Sequence, residues 1–335
     1  MLITLIVPFY NEEQHLSRSI RSIQQQTFVD YEVLLVDDLS TDGSYALAEQ
    51  LTHGDERFRL IQNEQKGLFH ARNKALAEAR CEYICFLDAD DELLPDYLSG
   101  LLDDSRIAEA DLVIQGFTRI QRGCQDSMSI SRSGIYDLEK DPQSFFVSYD
   151  VSYMGNVFGK IYRRSLIQRH QLVFSPQVLM CEDMYFVLSY LSVCRRVILS
   201  NKSNYRYILH SQSMSKCYWS FETEQRSYLA LRQVWQRLLD RCECPALLSS
   251  YGSFSGSYIN RLIFSALTHP VSQAKSHKNM DIINTEFLPI YRQYYCPCTF
   301  FTKCLKRAVL SHQYDVYRLL MRLAILRYRL DIHYC

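Results

Sequence analysis

Tyr83-Ile84-Cys85-Phe86-Leu87-Asp88-Ala89-Asp90-Asp91 decides how the first half of this chain reads. Its opening residues are apolar without a break, lacking the alternation of a strand that faces water on one side. Such a run indicates a strand buried on both faces, as in a parallel sheet covered by helices. It ends abruptly in carboxylates. Upstream, the apolar run Leu2–Pro8 precedes helical spacing of Leu16, Ile20 and Ile23 within Glu12–Gln26. Tyr31–Val36 precedes a helix expected from about Thr41 to Leu51, and Arg57–Ile61 precedes an Ala-rich helix over Leu68–Arg80. Downstream, a helix is expected over Leu93–Leu102 and a fifth strand over Ala110–Gln115. The fold class is α/β, a mostly parallel sheet flanked by helices. Open sheets of this kind bind ligands beyond the carboxyl ends of their strands. There the chain carries Pro8-Phe9-Tyr10-Asn11, Asp37-Asp38 and Asp88-Ala89-Asp90-Asp91.

Asp88 and Asp90, one residue apart on a turn leaving a strand, can meet one hard divalent cation. Mg²⁺ or Mn²⁺ suits such oxygen ligands and shares its shell with substrate phosphates. Acidic loops are also common at helix starts, and Asp91, Glu92 and Asp96 fit the first turn of a helix equally well. Residues 121–150 contain Gly, Ser, Asp and Pro and read as a mobile connection. A second group of elements runs from about Ser152 to Lys216, with a helix opening near Glu182 and strands near Val197–Leu199 and Tyr205–Leu209. Beyond Phe221 the chain becomes helical, aromatic and basic, which places a domain boundary near residue 220.

The 335 residues carry no net charge, but the distribution is uneven. Residues 1–120 hold 10 Lys+Arg against 22 Asp+Glu, and the remainder 27 against 15. An acidic half joined to a basic half suits a cation site beside an anionic partner, and equally suits ordinary surface variation between two lobes. The twelve cysteines include two C-x-C pairs (Cys242/Cys244, Cys296/Cys298) but no paired C-x-x-C zinc pattern, and their scatter fits a reducing compartment. Met1–Tyr10 has no basic leader and reads as a core strand. No run of about 18 uncharged apolar residues occurs, so the expected location is cytoplasmic. From Thr299 to Cys335 the basic residues Lys303, Lys306, Arg307, Arg318, Arg322, Arg327 and Arg329 face only Asp315 and Asp331, interleaved with apolar side chains. Such helices can lie on an anionic membrane, which would place the protein at the inner face of the cytoplasmic membrane; they can also pack on the catalytic lobe with a solvated basic face. No nucleic-acid-binding motif accompanies this charge.

Four motifs in order then carry a resemblance: Val7-Pro8-Phe9-Tyr10-Asn11-Glu12, Leu35-Val36-Asp37-Asp38-Leu39-Ser40-Thr41-Asp42-Gly43-Ser44, Gly67-Leu68-Phe69-His70-Ala71-Arg72-Asn73-Lys74 and Phe86-Leu87-Asp88-Ala89-Asp90-Asp91. Together they resemble glycosyltransferase family 2, of the inverting, nucleotide-sugar-dependent type that builds bacterial surface polysaccharides. The resemblance covers roughly residues 1–117, continues more loosely to about 216, and fades over the C-terminal third. It implies a GT-A catalytic domain over 1–220, with 1–117 binding the nucleotide-sugar and 150–220 forming the acceptor side, followed by a helical region over 221–335. It implies that Pro8, Tyr10 and Glu12 contact the donor's nucleoside and that Asp38 recognises a uracil edge, with Asp37 holding the loop. Arg72 is implied to touch the diphosphate or donor sugar, Asp88 to reach the ribose and sugar, and Asp90, with Asp88, to hold Mn²⁺ or Mg²⁺.

Met180-Cys181-Glu182-Asp183-Met184-Tyr185-Phe186 resembles the family's Glu-Asp-x-x-Phe pattern, which implies Asp183 as the base for the acceptor hydroxyl and Glu182 as its positioning neighbour or an acceptor ligand. Taken alone, the two carboxylates are ordinary for the start of a helix. Asn156-Val157-Phe158-Gly159-Lys160-Ile161-Tyr162-Arg163 resembles a stretch often read Trp-Asn-Lys-Leu-Tyr-Lys/Arg, with Phe158 for Trp and Gly159 for Asn. Tyr205-Arg206-Tyr207 through His210 to Ser213-Met214-Ser215 resembles the following strand and loop, with Ile208 where an Arg is common and His210 a further candidate ligand. The implied reaction is a single displacement with inversion from a UDP-sugar to a saccharide or lipid-linked saccharide. A non-catalytic nucleotide-sugar-binding protein and a nucleotidyltransferase are the rival readings. The latter, like a dinucleotide-binding dehydrogenase, lacks its Gly-rich phosphate loop after the first strand.

Overall fold

The computed structural model describes residues 1–108, 110–121, 124–209, 217–268, 273–297, 299–328 and 333–334. The chain divides into two compact units. One comprises residues 1–149, 154–176 and 182–209, and the other residues 150–153, 177–181 and 210–335.

In the first unit, β1 (Ile3–Phe9), β2 (Tyr31–Asp37), β3 (Phe58–Gln62) and β4 (Tyr83–Phe86) alternate with α1 (Leu16–Gln24), α2 (Ser44–Thr52) and α3 (Leu68–Glu78). Every residue of β1, β2 and β4 is buried, as their unbroken apolar runs require. The four strands are parallel, in the order β3-β2-β1-β4. The sheet therefore reverses its winding between β1 and β4, the position where open α/β sheets place a ligand crevice. Pro8 fits this location. The β1–β4 pairing stops at Ile6↔Phe86, so a residue without an N–H sits where these two strands part.

The second half of the sheet is mixed, adding antiparallel pairs beside the parallel core. β5 (Glu92–Leu93) and α4 (Tyr97–Ala108) occupy the region read as one helix from Leu93, and β6 (Leu112–Gln121) follows. Residues 121–150, read as a mobile connection, contain β7 (Cys124–Met128), β8 (Gly134–Asp137) and α5 (Pro142–Ser148). β7 runs along the edge with its residues mostly exposed, so it lacks the apolar signature of a core strand. β9 (Lys160–Arg163), α6 (Arg164–Arg169), α7 (Glu182–Leu191) and β10 (Arg196–Ile208) complete the unit. β10 spans both strands expected between 197 and 209, and its pairing with β6 shifts register between Ser200 and Tyr205, at the polar gap that separated them in the sequence. β9 enters antiparallel between β4 and β6. Because it is antiparallel, its first residue lies beside the carboxyl end of β4, and residues 154–159 arrive at the edge that carries the carboxylates.

The second unit is mainly helical: α8 (Phe221–Cys242), α9 (Pro245–Thr268), α10 (Gln273–Ile282), α11 (Leu288–Tyr294), α12 (Phe300–Leu310) and α13 (Tyr314–Tyr328), with a π turn at Ile283–Phe287. A short parallel pair joins Cys217–Tyr218 to His333–Tyr334. Buried Glu224 accepts from Arg261 and Tyr258, which ties α8 to α9. Gly256 lets α9 approach the end of α11 closely, since a Cβ there would collide with the Tyr295 ring. Among the described residues, no helix is long and apolar enough to cross a membrane.

Candidate active site

The parallel register of β1, β2 and β4 sets Tyr10, Asp37-Asp38 and Asp88 side by side at one edge of the sheet. Two residues in the connecting loops, Asn11 (φ 53°) and Leu39 (φ 61°), take the left-handed conformation. Asn tolerates this well, whereas Leu pays about 1 kcal/mol or more. The loops are locked together: Asn11 N donates to Ser40 Oγ (3.0 Å), and Thr41 N to Asn11 Oδ1 (2.8 Å).

Each Asp of the 37–38 pair is engaged. Asp37 is fully buried and accepts from Ser40 N (3.0 Å) and Gln62 Nε2 (3.2 Å), which holds the loop. Asp38 accepts from Asn63 Nδ2 (2.8 Å) and, with both oxygens, from Gly67 N (2.8 and 2.9 Å). It thereby ties the end of β2 to the start of α3. Tyr10 is half-buried, and Lys66 Nζ lies 3.7 Å from its ring centroid, covering one face. That lysine had no place in the sequence reading.

Arg72 organises the centre. Though cationic, it is only 2% exposed, and its guanidinium lies over the Phe174 ring, 5.0 Å from the centroid. Phe174 stacks on Phe186 of α7 (4.4 Å), and Phe186 packs edge-on against Phe86 of β4 (5.7 Å). Reciprocal bonds between Asn73 and the Phe174 backbone (2.9 and 2.8 Å) fix this wall to α3. Glu182 and Phe186 lie four residues apart on one face of α7, so seating the phenyl ring also delivers the carboxylate. Arg72 Nη1 bonds Asp183 Oδ1 (2.6 Å) and Glu182 Oε1 (3.0 Å), and Nη2 bonds Asp88 Oδ1 (3.2 Å). The second oxygen of Asp183 accepts Val157 N–H (3.1 Å). The resemblance assigns Arg72 to the diphosphate or donor sugar; in the fold it links Asp88, Glu182 and Asp183.

Carboxylates outnumber cations in this cluster, and their protonation reflects it. Burial, opposed by Arg72 and reinforced by Asp183 and Asp90, pushes Asp88 up to about 7. Glu182 rises to about 7 through burial, against Arg72, with Asp183 and Asp88 adding to the shift. Glu12 rises to about 7 through burial and the charges of Asp90, Asp42 and Asp88. Asp91 is raised well above its usual range by burial, Asp88 and Asp90, although Tyr205 Oη (2.6 Å) and Ile208 N (2.8 Å) donate to it. In the sequence Asp91 read only as a helix-start carboxylate; in the fold it pins β10 against the Asp88–Asp90 turn. His210 lies outside the described residues.

The donor set can be tested against a divalent cation. Among the described residues, no group of three or more His, Cys, Asp or Glu converges as a cage. Asp88 and Asp90 remain a pair of hard oxygen donors at the crevice, in a field of mutually raised carboxylates. This fits Mg²⁺ or Mn²⁺, which is commonly held by one or two carboxylates and completed by substrate phosphates.

The raised groups give a sign for the pH dependence of stability. An acid with a higher pKa folded than unfolded stabilises the fold fully below its unfolded pKa, and that contribution is lost as pH rises through the folded value. For Glu12, Asp88 and Glu182 the window runs from the ordinary range near 4 up to about 7. Lys160, lowered to about 7 by burial against an opposing pull from Asp183, acts only above that window. The metal-free Tm should therefore fall by on the order of 5 °C between pH 5 and 7.5. Glu182→Gln should flatten the slope. A Tm rising across this range would overturn the charge assignment.

Comparison with known proteins bears on the family and the fold. The putative glycosyltransferase EpsH of Bacillus subtilis (strain 168) is 30% identical over 220 residues, which is 64% of this chain and 63% of the relative. The GalNAc(5)-diNAcBac-PP-undecaprenol beta-1,3-glucosyltransferase of Campylobacter jejuni is 31% identical over 168 residues, covering 50% of this chain and 53% of that protein. The chain therefore spans less than two thirds of the length of these relatives. The crystal structure of S. aureus TarS 1-349 in complex with UDP-GlcNAc superposes with a TM-score of 0.72 at 19% identity, over 98% of this chain and 92% of that one. The likeness shows that the fold is of the GT-A type. Residues 4–170 match the family model described as Glycosyl transferase family 2, and with the strand-end carboxylates and the Glu182-Asp183 helix start in place, the chain belongs to that family.

Proposed function

We propose that this protein transfers a sugar from a nucleoside diphosphate donor, a UDP-sugar, to an acceptor hydroxyl with inversion at the anomeric carbon. One observation carries the reading: Arg72 draws a carboxylate from the end of β4 and two from the start of α7 to a single guanidinium. Groups suited to the donor and to the acceptor thus lie within one side chain of each other. In this reading Tyr10, Glu12, Pro8 and Asp38 surround the nucleoside, and Asp88 reaches the sugar. Asp90 and Asp88 would hold Mn²⁺ or Mg²⁺, which when bound offsets charge on the departing diphosphate. Each oxygen of Asp183 accepts one hydrogen bond and keeps lone-pair capacity for the acceptor's proton. As the acceptor oxygen bonds to the anomeric carbon, its proton passes to Asp183. The bond to the phosphate oxygen breaks on the opposite face, and the nucleoside diphosphate leaves with the electron pair. Screening UDP-, GDP- and dTDP-sugars for Mn²⁺-dependent nucleotide release tests this. UDP-sugars should respond, and tight UDP binding without transfer to any acceptor or to water would favour a non-catalytic binding protein.

A polyprenol-linked saccharide of the kind named for the Campylobacter relative is a reasonable acceptor class, and synthesis of a cell-surface polysaccharide the corresponding role. On α12 and α13 the apolar Phe300, Val316, Leu319 and Leu323 are exposed among Lys303, Arg307 and Arg322. Peripheral attachment to an anionic membrane follows from that combination. The protein should sediment with vesicles containing anionic lipid and release at high salt. Failure to sediment at low salt would remove the membrane contact from the proposal.

A further inference from the structure

Lys160 opens β9 and is 1% exposed, yet among the described residues no carboxylate lies within ion-pairing distance of it. Its ammonium is met by main-chain carbonyls instead: Asn156 O at 2.5 Å, Met154 O at 3.2 Å and Phe158 O at 3.4 Å. An ammonium has three donors and no acceptor, so three convergent carbonyls satisfy it fully. The residues supplying them form a tight loop around a buried cation. Tyr149 Oη donates to Met154 O (2.6 Å) and Tyr162 Oη to Val157 O (3.1 Å). The Phe158 ring stacks on Tyr205 at 4.3 Å, nearly parallel. Gly159 closes the turn at φ 67°, a conformation open to Gly and Asn, the residue usual at this place in the resembling motif. From this loop the Val157 N–H donates to Asp183 Oδ2 at 3.1 Å.

We propose that Lys160 is a positioning residue: its ammonium gathers the Met154–Phe158 carbonyls, and the loop so shaped presents Val157 N–H to orient Asp183. The inference rests on Asp183 being the base. Burial lowers the Lys160 ammonium to about 7, against an opposing pull from Asp183, in keeping with a charge met by carbonyl dipoles without a paired carboxylate.

Lys160→Met keeps length and apolar contact but removes all three donors. Four measurements test it: the thermal melt, UDP affinity with Mn²⁺ by calorimetry, UDP-sugar turnover by UDP release, and hydrogen exchange at the Val157 amide. UDP affinity should stay within about twofold of the parent, turnover should fall by about 100-fold, and Val157 exchange should accelerate. Adding Lys160→Met to Asp183→Asn should change the residual turnover by less than about threefold, because both act through one carboxylate. Parental turnover in a folded Lys160→Met protein overturns the proposal, and so do losses that multiply in the double variant. If Lys160→Met does not fold, Tyr162→Phe carries the test by removing one bond to Val157 O. A loss of roughly 3–10-fold with UDP affinity retained supports the proposal, and parental turnover overturns it. Should Asp183→Asn itself turn over normally, the base assignment is what fails. Val157 exchange then judges the loop separately, and unchanged exchange in Lys160→Met overturns that part too.

Discussion

Asp183→Asn should lower sugar transfer by about 10²–10⁴-fold while UDP affinity in the presence of Mn²⁺ stays within about threefold. The carboxylate receives Arg72 on one oxygen and Val157 N–H on the other. An amide has one oxygen, so it can accept from only one of them and must turn its NH₂ toward the other donor. That mismatch costs about 1 kcal/mol, small enough for the fold to survive, and the amide cannot take a proton from the acceptor. In the proposed reading, nucleotide binding draws on residues at the ends of β1, β2 and β4, which the substitution leaves alone. Asp90→Ala separates the two roles. It should also abolish transfer, but with a loss of Mn²⁺-dependent UDP affinity of more than about tenfold, because it removes a candidate oxygen ligand. Equal loss of UDP binding in the two variants would show that the base has been assigned wrongly.

Arg72→Met should produce the largest loss of stability of any single change at this site. It leaves Asp88, Glu182 and Asp183 facing one another with no counter-charge. Breaking a buried ion pair on one side costs about 3–5 kcal/mol. The lower end applies here, because the Asp88 and Asp183 side chains keep 30% and 25% of their surface exposed and water screens part of the repulsion. Raised acids should rise further once the guanidinium is gone, so the deficit should widen between pH 5 and 7.5 and shrink in acid. Glu182→Gln in the same protein should recover part of the loss. Thermal melts across that pH range decide it. A Tm within about 2 °C of the parent at pH 7.5 would mean that Arg72 is an ordinary packed residue rather than the centre of the carboxylate cluster.

Legibility in the sequence followed the physical signal each segment carries. β1, β2 and β4 were readable because burial on both faces demands an unbroken apolar run. β7 was not, because an edge strand with exposed residues carries neither a run nor an alternation. The carboxylates at the ends of β2 and β4 were legible from their position after such runs, and the Glu182-Asp183 pair from its motif. Lys160 offered a faint clue, a charge at the head of the short strand Lys160–Arg163, but nothing local shows that its partners are main-chain carbonyls.

The order of strands and helices in the parallel half, the acidic tips of those strands and the family they resemble were determined by the sequence alone, since periodicity and turn chemistry are properties of neighbouring residues. Tertiary structure alone decided that Arg72 meets Glu182 across 110 residues, and that β9 inserts antiparallel to bring Val157 to Asp183. A local pattern can specify an element and its buried face. Which element lies beside it depends on how the whole sheet closes its hydrogen bonds and core, and that sum is settled only in three dimensions.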